Sequence, residues 1–322
     1  MNVLAIDTET NGVHWDAQPF VVSMAEEGTS WAYDLDVDPN LRSNVRLNVA
    51  EADRIIMHNC RFDTRVLENI GIIVPREKVF DTHPMSHLLD EHRSHKLKDL
   101  AKTVLDEETD EDVVVKGWRM AIKKEQGLRY VADVDWRDIP RDVLLPYAIK
   151  DAEFTFKLYH KLWPQIEADP DLLSEYYREM QVLWVADDIA REGLQTDQEF
   201  AQSEYRRLGD LVLKLEREVV ALSGREDFNP NSPKQLAQVY VEAGIEPPRT
   251  EKGNYSVNNL FLQTAFHPIG EKVLKLRSAA KMRNTYFHAI VTEVDEHGIL
   301  HTQLNTLGTK TSRMSAGGSE DG

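Results

Sequence analysis

The chain has 322 residues, enough for two ordinary domains that each bury a core of their own. With 41% hydrophobic and 29% charged residues it has a soluble, globular balance, and no run is long and apolar enough to cross a bilayer, which excludes membrane roles. A net charge of −17 excludes general affinity for nucleic acid, because phosphate binding needs positive charge to release counterions; any such contact must be local or carried by metal ions.

In chain order, the opening MNVLAIDTET runs directly into an apolar strand without the basic and long apolar regions of a leader, so a cytoplasmic protein is expected. Residues 3–6, 20–24 and 31–35 are β-prone runs that predict an early sheet, and 54–57 adds a strand. It feeds a helix over 61–70, where Phe62, Val66, Leu67 and Ile70 recur at helical spacing and Gly71 is the stop. The single cysteine, Cys60, leaves no internal disulfide and no cysteine-based zinc site. His83 and His87 are four apart, with His92 and His95 nearby, but no thiolate accompanies them and surface or capping duty is expected. Residues 97–105 continue the helical pattern. The acidic run Asp106, Glu107, Glu108, Asp110, Glu111, Asp112 reads as a solvated loop. A long helix over 143–163 carries Leu144, Tyr147, Ala148, Phe154, Leu158 and Leu162 on one face.

The α/β part is expected to end at residue 168, and a mainly helical domain to fill 169–322. Its helices are predicted over 172–192, stopped by Gly193; 196–222, closed by Ser223 and Gly224; 234–243, begun by Ser232 and Pro233; and 270–294. Residues 298–305 read as one strand of a hairpin. Residues 315–322 are polar, neither cap nor core, and look like an interruption rather than a finish.

Three elements carry chemistry. In Ile6-Asp7-Thr8-Glu9-Thr10 two acids stand two apart at a strand end, so both point to one face and could grip a metal; a solvated strand terminus looks the same. Asp63 falls in the first turn of the helix after the 54–57 strand, where the helix dipole also favours an acid. Tyr147 and Asp151 are one helical turn apart and share a face, although a tyrosine there is also ordinary packing material. Together, four acids from three segments could converge into a cluster that repels itself unless divalent cations hold it. Oxygen-only ligands select magnesium or manganese over zinc. Two such ions roughly 3.5 to 4 Å apart would stabilise the attacking and leaving oxygens of a phosphodiester displacement, with Tyr147 orienting the water. Cations at the site would also let phosphate approach an acidic protein.

These residues resemble the DEDD exonuclease superfamily in its tyrosine-containing branch, and within it the proofreading domain of family A, polymerase I-like, DNA polymerases. Asp7 and Glu9 match the first motif, Asn59 through Asp63 the second, and Tyr147 with Asp151 the third. The resemblance implies a ribonuclease H-like exonuclease domain with a mixed sheet flanked by helices. It further implies Asp7, Glu9, Asp63 and Asp151 as ligands of two Mg2+ or Mn2+ ions, Tyr147 as the residue that places the nucleophilic water, and Asn59, by position alone a loop or capping residue, as DNA-binding. Asp81-Thr82 and the segment His95-Lys96-Leu97-Lys98-Asp99-Leu100-Ala101 resemble connecting parts of such domains.

In the second half, Phe228-Asn229-Pro230-Asn231-Ser232-Pro233-Lys234-Gln235-Leu236 resembles the family's thumb segment. Arg277, Lys281, Thr285 and Tyr286 match a thumb helix that grips duplex DNA, and Lys272, Lys275 and Arg283 complete its basic face, which by charge alone is also an ordinary solvated face. Thr311, Arg313 and Ser315 resemble the family's Thr-Gly-Arg-x-Ser stretch, with Ser312 where the family has glycine, and Arg313 would reach the minor groove. The palm aspartates and fingers helix are absent, so the expectation is an N-terminal polymerase portion whose palm and fingers lie elsewhere or in a separate chain. The expected activity is removal of nucleotides from a DNA 3′ end as monophosphates during replication. The alternatives are an RNA 3′-end trimming enzyme resembling ribonuclease D, which shares the acids and tyrosine, and an inert DNA-binding scaffold, against which the intact acids count.

Overall fold

The computed structural model describes residues 1–307 and 313–316, which leaves Thr311, Ser312 and the polar tail 317–322 outside the described residues. The chain divides into two compact units, Met1–Gly193 together with Thr302–Gly322, and Leu194–His301.

The first unit is built on a five-stranded sheet of order β3-β2-β1-β4-β5. Strands β1 (Val3–Thr10), β2 (Pro19–Glu26) and β3 (Thr29–Asp34) form an antiparallel meander. After helix α1 (Leu41–Glu51) the chain returns through β4 (Arg54–Met57), parallel to β1. Helix α2 (Cys60–Glu68) follows, and β5 (Val79–Asp81) extends the sheet in parallel. Helices α3 (Thr82–Leu89), α4 (Leu97–Val104), α5 (Asp110–Gln126), α6 (Arg141–Glu167) and α7 (Pro170–Glu192) complete the unit. The expected α/β class with a mixed central sheet is therefore what the chain forms.

Burial of apolar side chains fixes this arrangement. Ile6, Met24, Ile55, Ile56 and Met57 of the sheet pack with Ala152, Leu158, Leu162 and Ile166 of α6, all at most 1% exposed. Toward the start of α6, Leu144 and Ala148 pack against Phe20 and Val21 of β2, and Ser30 Oγ of β3 donates to Glu153 at 2.6 Å. α6 is thereby clamped across the strands. Helix α7, which the sequence pattern placed in the following domain, buries Tyr176, Met180 and Leu183 in this same core, so the compact unit runs to Gly193, past residue 168. The acidic run is not all loop either: Asp110, Glu111 and Asp112 form the first turn of α5, where negative side chains offset the exposed N–H groups.

The second unit opens with β6 (Leu194–Gln195) and α8 (Gln198–Ser223), followed by α9 (Pro233–Glu242), α10 (Asn259–Thr264) and α11 (Pro268–Lys281). The helix expected over 270–294 is interrupted: α11 passes into a π-helical stretch, Met282–Phe287, and then α12 (His288–Thr292). Strand β7 (Ile299–Leu300) pairs with β6, and back in the first unit β8 (Leu304–Asn305) pairs with β9 (Ser315–Ala316). The 298–305 run is thus divided between two small sheets. Leu208, Leu215 and Val219 of α8 pack with Leu236 and Tyr240 of α9 and Ile269, Val273 and Leu276 of α11. The Phe228–Leu236 segment has a plain folding role. Phe228 is buried, Ser232 Oγ caps α9 by accepting from Gln235 N at 3.3 Å, and the Gln235 side chain accepts from Asn229 N at 2.6 Å.

Candidate metal centre

Strand pairing opens the space in which the acids meet. The parallel register of β1 with β4 ends at Ala5 opposite Ile56, whereas pairing with β2 continues to Thr10, with a break in register between Glu9 and Thr10. Asp7, Thr8 and Glu9 therefore lie where β4 has given way to the first turn of α2. Alternation puts Asp7 and Glu9 on one face, and α6, clamped over the sheet, brings Asp151 to them. One carboxylate oxygen from each of Asp7, Glu9 and Asp151 lies within 4.8 Å of the others, the single group of three potential ligands of this kind among the described residues.

Asp63 stands beside this trio rather than within it. Its Oδ1 accepts from Thr8 Oγ1 at 2.6 Å, while its charge still raises the pKa of Asp7 and Glu9. The four expected ligands are thus brought to one place, three of them close enough to share an ion.

Electrostatics show what the gathering costs. Burial, followed by the charges of Asp63, Asp151 and Glu9, pushes Asp7 well above the usual carboxylate range. Burial and then Asp151 raise Glu9 from 4.5 to about 8. Burial raises Asp151 to about 6, against the opposing pull of Lys98 and a hydrogen bond from Tyr147. Burial and the neighbouring Asp151, Glu9 and Asp7 hold the Tyr147 phenol well above its ordinary value, so it stays a donor. A buried, mutually repelling, all-oxygen donor set fits a hard divalent cation.

Two residues that the sequence reading gave no chemistry complete the site. Lys98 of α4 pairs with Asp151 and sits 3.9 Å from the Tyr147 ring centroid. Asp81, wholly buried, accepts from Asn59 N at 2.9 Å, Cys60 N at 2.8 Å and His83 N at 2.8 Å, and so caps α2 and α3 together. It holds the turn from which Asp63 projects. Asn59 adopts a left-handed backbone, φ 65°, which asparagine tolerates better than most residues and which turns the chain from β4 into α2.

The histidines depart from the surface role expected of them. His87 is buried, and its ring lies 5.1 Å from that of His95, which in turn is 5.7 Å from His83. Burial holds His83 and His95 down at about 4, so they are neutral packing groups. His92 remains exposed.

On the second unit, Lys272 pairs with Glu218 and Lys275 with Glu271, while Lys281 is exposed. Arg277 donates to Val257 O at 2.9 Å and to Asn259 Oδ1 at 3.1 Å, anchoring the loop before α10. Arg283 packs over the Tyr205 ring at 4.1 Å and against Gly209. Both arginines are engaged in holding their unit together. Arg313 is exposed and belongs to the first unit.

A mixed sheet whose central strand and covering helix bring carboxylates together is the architecture of a ribonuclease H-like nuclease. The chain belongs to the 3′-5′ exonuclease family, whose model matches residues 1–167, and residues 198–318 match the model of DNA polymerase family A. It is 31% identical over 270 residues to DNA polymerase I of Treponema pallidum, covering 81% of this chain and 25% of that protein. It is 30% identical over 348 residues to DNA polymerase DpoZ of Salmonella phage PMBT28, covering 97% and 53%. The chain therefore spans about a quarter of the first relative and about half of the second. Among solved structures, the POL domain of Pol1 from M. smegmatis, in complex with DNA primer-template and dNTP, shares the fold. Its TM-score is 0.67 at 20% identity, over 97% of this chain and 50% of that one. No helix among the described residues is long and apolar enough to cross a membrane.

Proposed function

We propose that the first unit is a two-metal 3′-5′ exonuclease that shortens DNA from its 3′ end, releases nucleoside monophosphates, and proofreads for a family A polymerase during DNA replication. The observation that carries this reading is the convergence of Asp7, Glu9 and Asp151 within 4.8 Å. These three and Asp63 would hold two divalent ions, Mg2+ or Mn2+, because carboxylate oxygens favour hard cations. Bound there, the ions would supply Lewis-acid stabilisation of the attacking and leaving oxygens. The protein's own contribution is placement. Thr8 fixes Asp63 by a hydrogen bond at 2.6 Å, and Asp81 fixes the turn that carries it. Tyr147, kept protonated, offers its hydroxyl to orient the attacking water.

DNA as the substrate rests on the names of the relatives and on the family A match. In the second unit, Lys272, Lys275 and Lys281 offer cations to the phosphates of a primer-template duplex, and Arg277 and Arg283 keep their helices in place beneath them. Asn59 and Arg313 would make further DNA contacts. Nucleotide joining would need palm and fingers supplied by further sequence or a separate chain. That relatives come from bacteria and phages supports a cytoplasmic setting for this work, in a bacterial or phage-infected cell.

The test is a primer-template with a mismatched 3′ end, labelled at that end, incubated with Mg2+ and with EDTA, beside single-stranded DNA and RNA of equal sequence. The reading expects release of labelled mononucleotide that stops with EDTA and in Asp7→Ala and Asp151→Ala. Preference for RNA would move the substrate to RNA 3′ ends, and hydrolysis retained in both variants would refute the site.

A further inference from the structure

Lys98 stands where helix electrostatics disfavour it. It is the second residue of α4, at the positive end of the helix dipole, where cations are destabilising. Its side chain is only 19% exposed, and that of its partner Asp151 is 9% exposed. Burying an ammonium at such a position requires a strong counter-charge. Asp151 supplies it, the Tyr147 ring lies 3.9 Å away and the Phe154 ring 5.6 Å away. The same ammonium draws down the pKa of Asp7 and Glu9 as well as Asp151, so it serves the whole trio as a counter-ion.

We propose that Lys98 is a built-in stand-in for metal: its ammonium holds the acidic trio together in the metal-free protein and is displaced from Asp151 when a divalent ion binds. This deepens the nuclease reading and rests on it. Asp151 already accepts from Lys98 and from Tyr147, and an ammonium and a divalent ion repel each other at such short range, so a metal that takes Asp151 must compete with the ammonium for its oxygens. Lys98 is thus a positioning residue with two consequences. It keeps the carboxylates from flying apart before loading, and it weakens metal binding, so that occupancy follows the free ion concentration.

Two measurements test this. Calorimetric titration of the whole chain with Mn2+ at mildly alkaline pH should show Lys98→Met binding on the order of tenfold more tightly than wild type, the effect of removing one charge near a divalent ion at close range. Lys98→Arg, which keeps the cation, should stay near wild type. Unchanged or weaker affinity in Lys98→Met, beside normal binding by wild type, overturns the role of Lys98 and leaves the nuclease reading intact. Absence of Mn2+ binding by wild type itself overturns both. The second measurement needs no variant: acylation of Lys98 by an amine-reactive reagent, followed by mass spectrometry, should quicken several-fold when Mn2+ is added, because the ammonium is released from Asp151. A rate that stays level or falls overturns displacement even if the affinities move as expected.

Discussion

Metal-free protein should lose stability as pH rises past neutrality, and divalent cations should abolish that loss. Burial, then the neighbouring carboxylates, hold Glu9 at about 8 in the fold against 4.5 when unfolded. Between those values the folded state keeps a proton that the unfolded chain releases, so stability is fully present below about 4.5 and is lost as pH climbs through about 8. Asp151 acts in the same direction up to about 6. His83 and His95 act in the opposite direction. Their pKa is lowered to about 4, so they add stability as pH rises from there to their ordinary 6.5. The interval from 6.5 to about 8 therefore isolates the acidic cluster. Across it Glu9 alone accounts for about 2 kcal/mol at about 1.4 kcal/mol per pH unit. For a unit of this size that is a fall in melting temperature of roughly 4 to 8 °C. Thermal unfolding followed by circular dichroism, in EDTA and in excess Mg2+, measures it. The fall should appear in EDTA, vanish with Mg2+, and shrink in Glu9→Gln. A melting temperature in EDTA that is flat or rising over this interval would refute the electrostatic argument.

Further outcomes follow from individual contacts. Asp81→Ala strands three N–H donors at the starts of α2 and α3, one buried and two partly buried, and should cost roughly 3 to 5 kcal/mol in chemical denaturation while lowering nuclease activity through Asp63. Tyr147→Phe removes only a hydroxyl and should lower kcat about a hundredfold with Mn2+ affinity and melting temperature little changed; full activity would show that the phenol does no work. Gly270→Ala would set a methyl 2.7 Å from Tyr240 Oη and 2.9 Å from Leu262 O, and should destabilise the second unit by roughly 1 to 3 kcal/mol in a urea melt.

The readable parts of the sequence are those governed by short-range rules. Asp7 and Glu9 declare a shared face through their spacing of two, and Tyr147 and Asp151 through their spacing of four, because strand and helix periods are fixed by covalent geometry. That these pairs converge was legible only as a chemical inference, since strand order β3-β2-β1-β4-β5 is set by tertiary packing. Thr8 was passed over because alternation points it away from Asp7 and Glu9, and its partner Asp63 lies 55 residues on. Asp81 looked like a connector because the N–H groups of Asn59 and Cys60 that it receives belong to a different strand-to-helix turn. Lys98 sits in a stretch of helical pattern, and nothing local to it announces Asp151, 53 residues away. Helix α5 was missed as a whole because three acids that suit a helix start also suit a loop, and its exposed Val113, Val114 and Met120 blur the amphipathic period. Helix α7 was assigned onward because strand signals cease after Asp171, whereas its buried Tyr176, Met180 and Leu183 return to the core of the sheet.

The nuclease reading requires the acids of β1 and α6 to cradle divalent cations. Crystals soaked in Mn2+ and measured near the manganese absorption edge test it most directly. An anomalous peak is expected among the oxygens of Asp7, Glu9 and Asp151, with a second within reach of Asp63, and both lost in Asp7→Asn. An empty cradle at saturating Mn2+, or manganese bound only at other acids of this acidic chain, would contradict it.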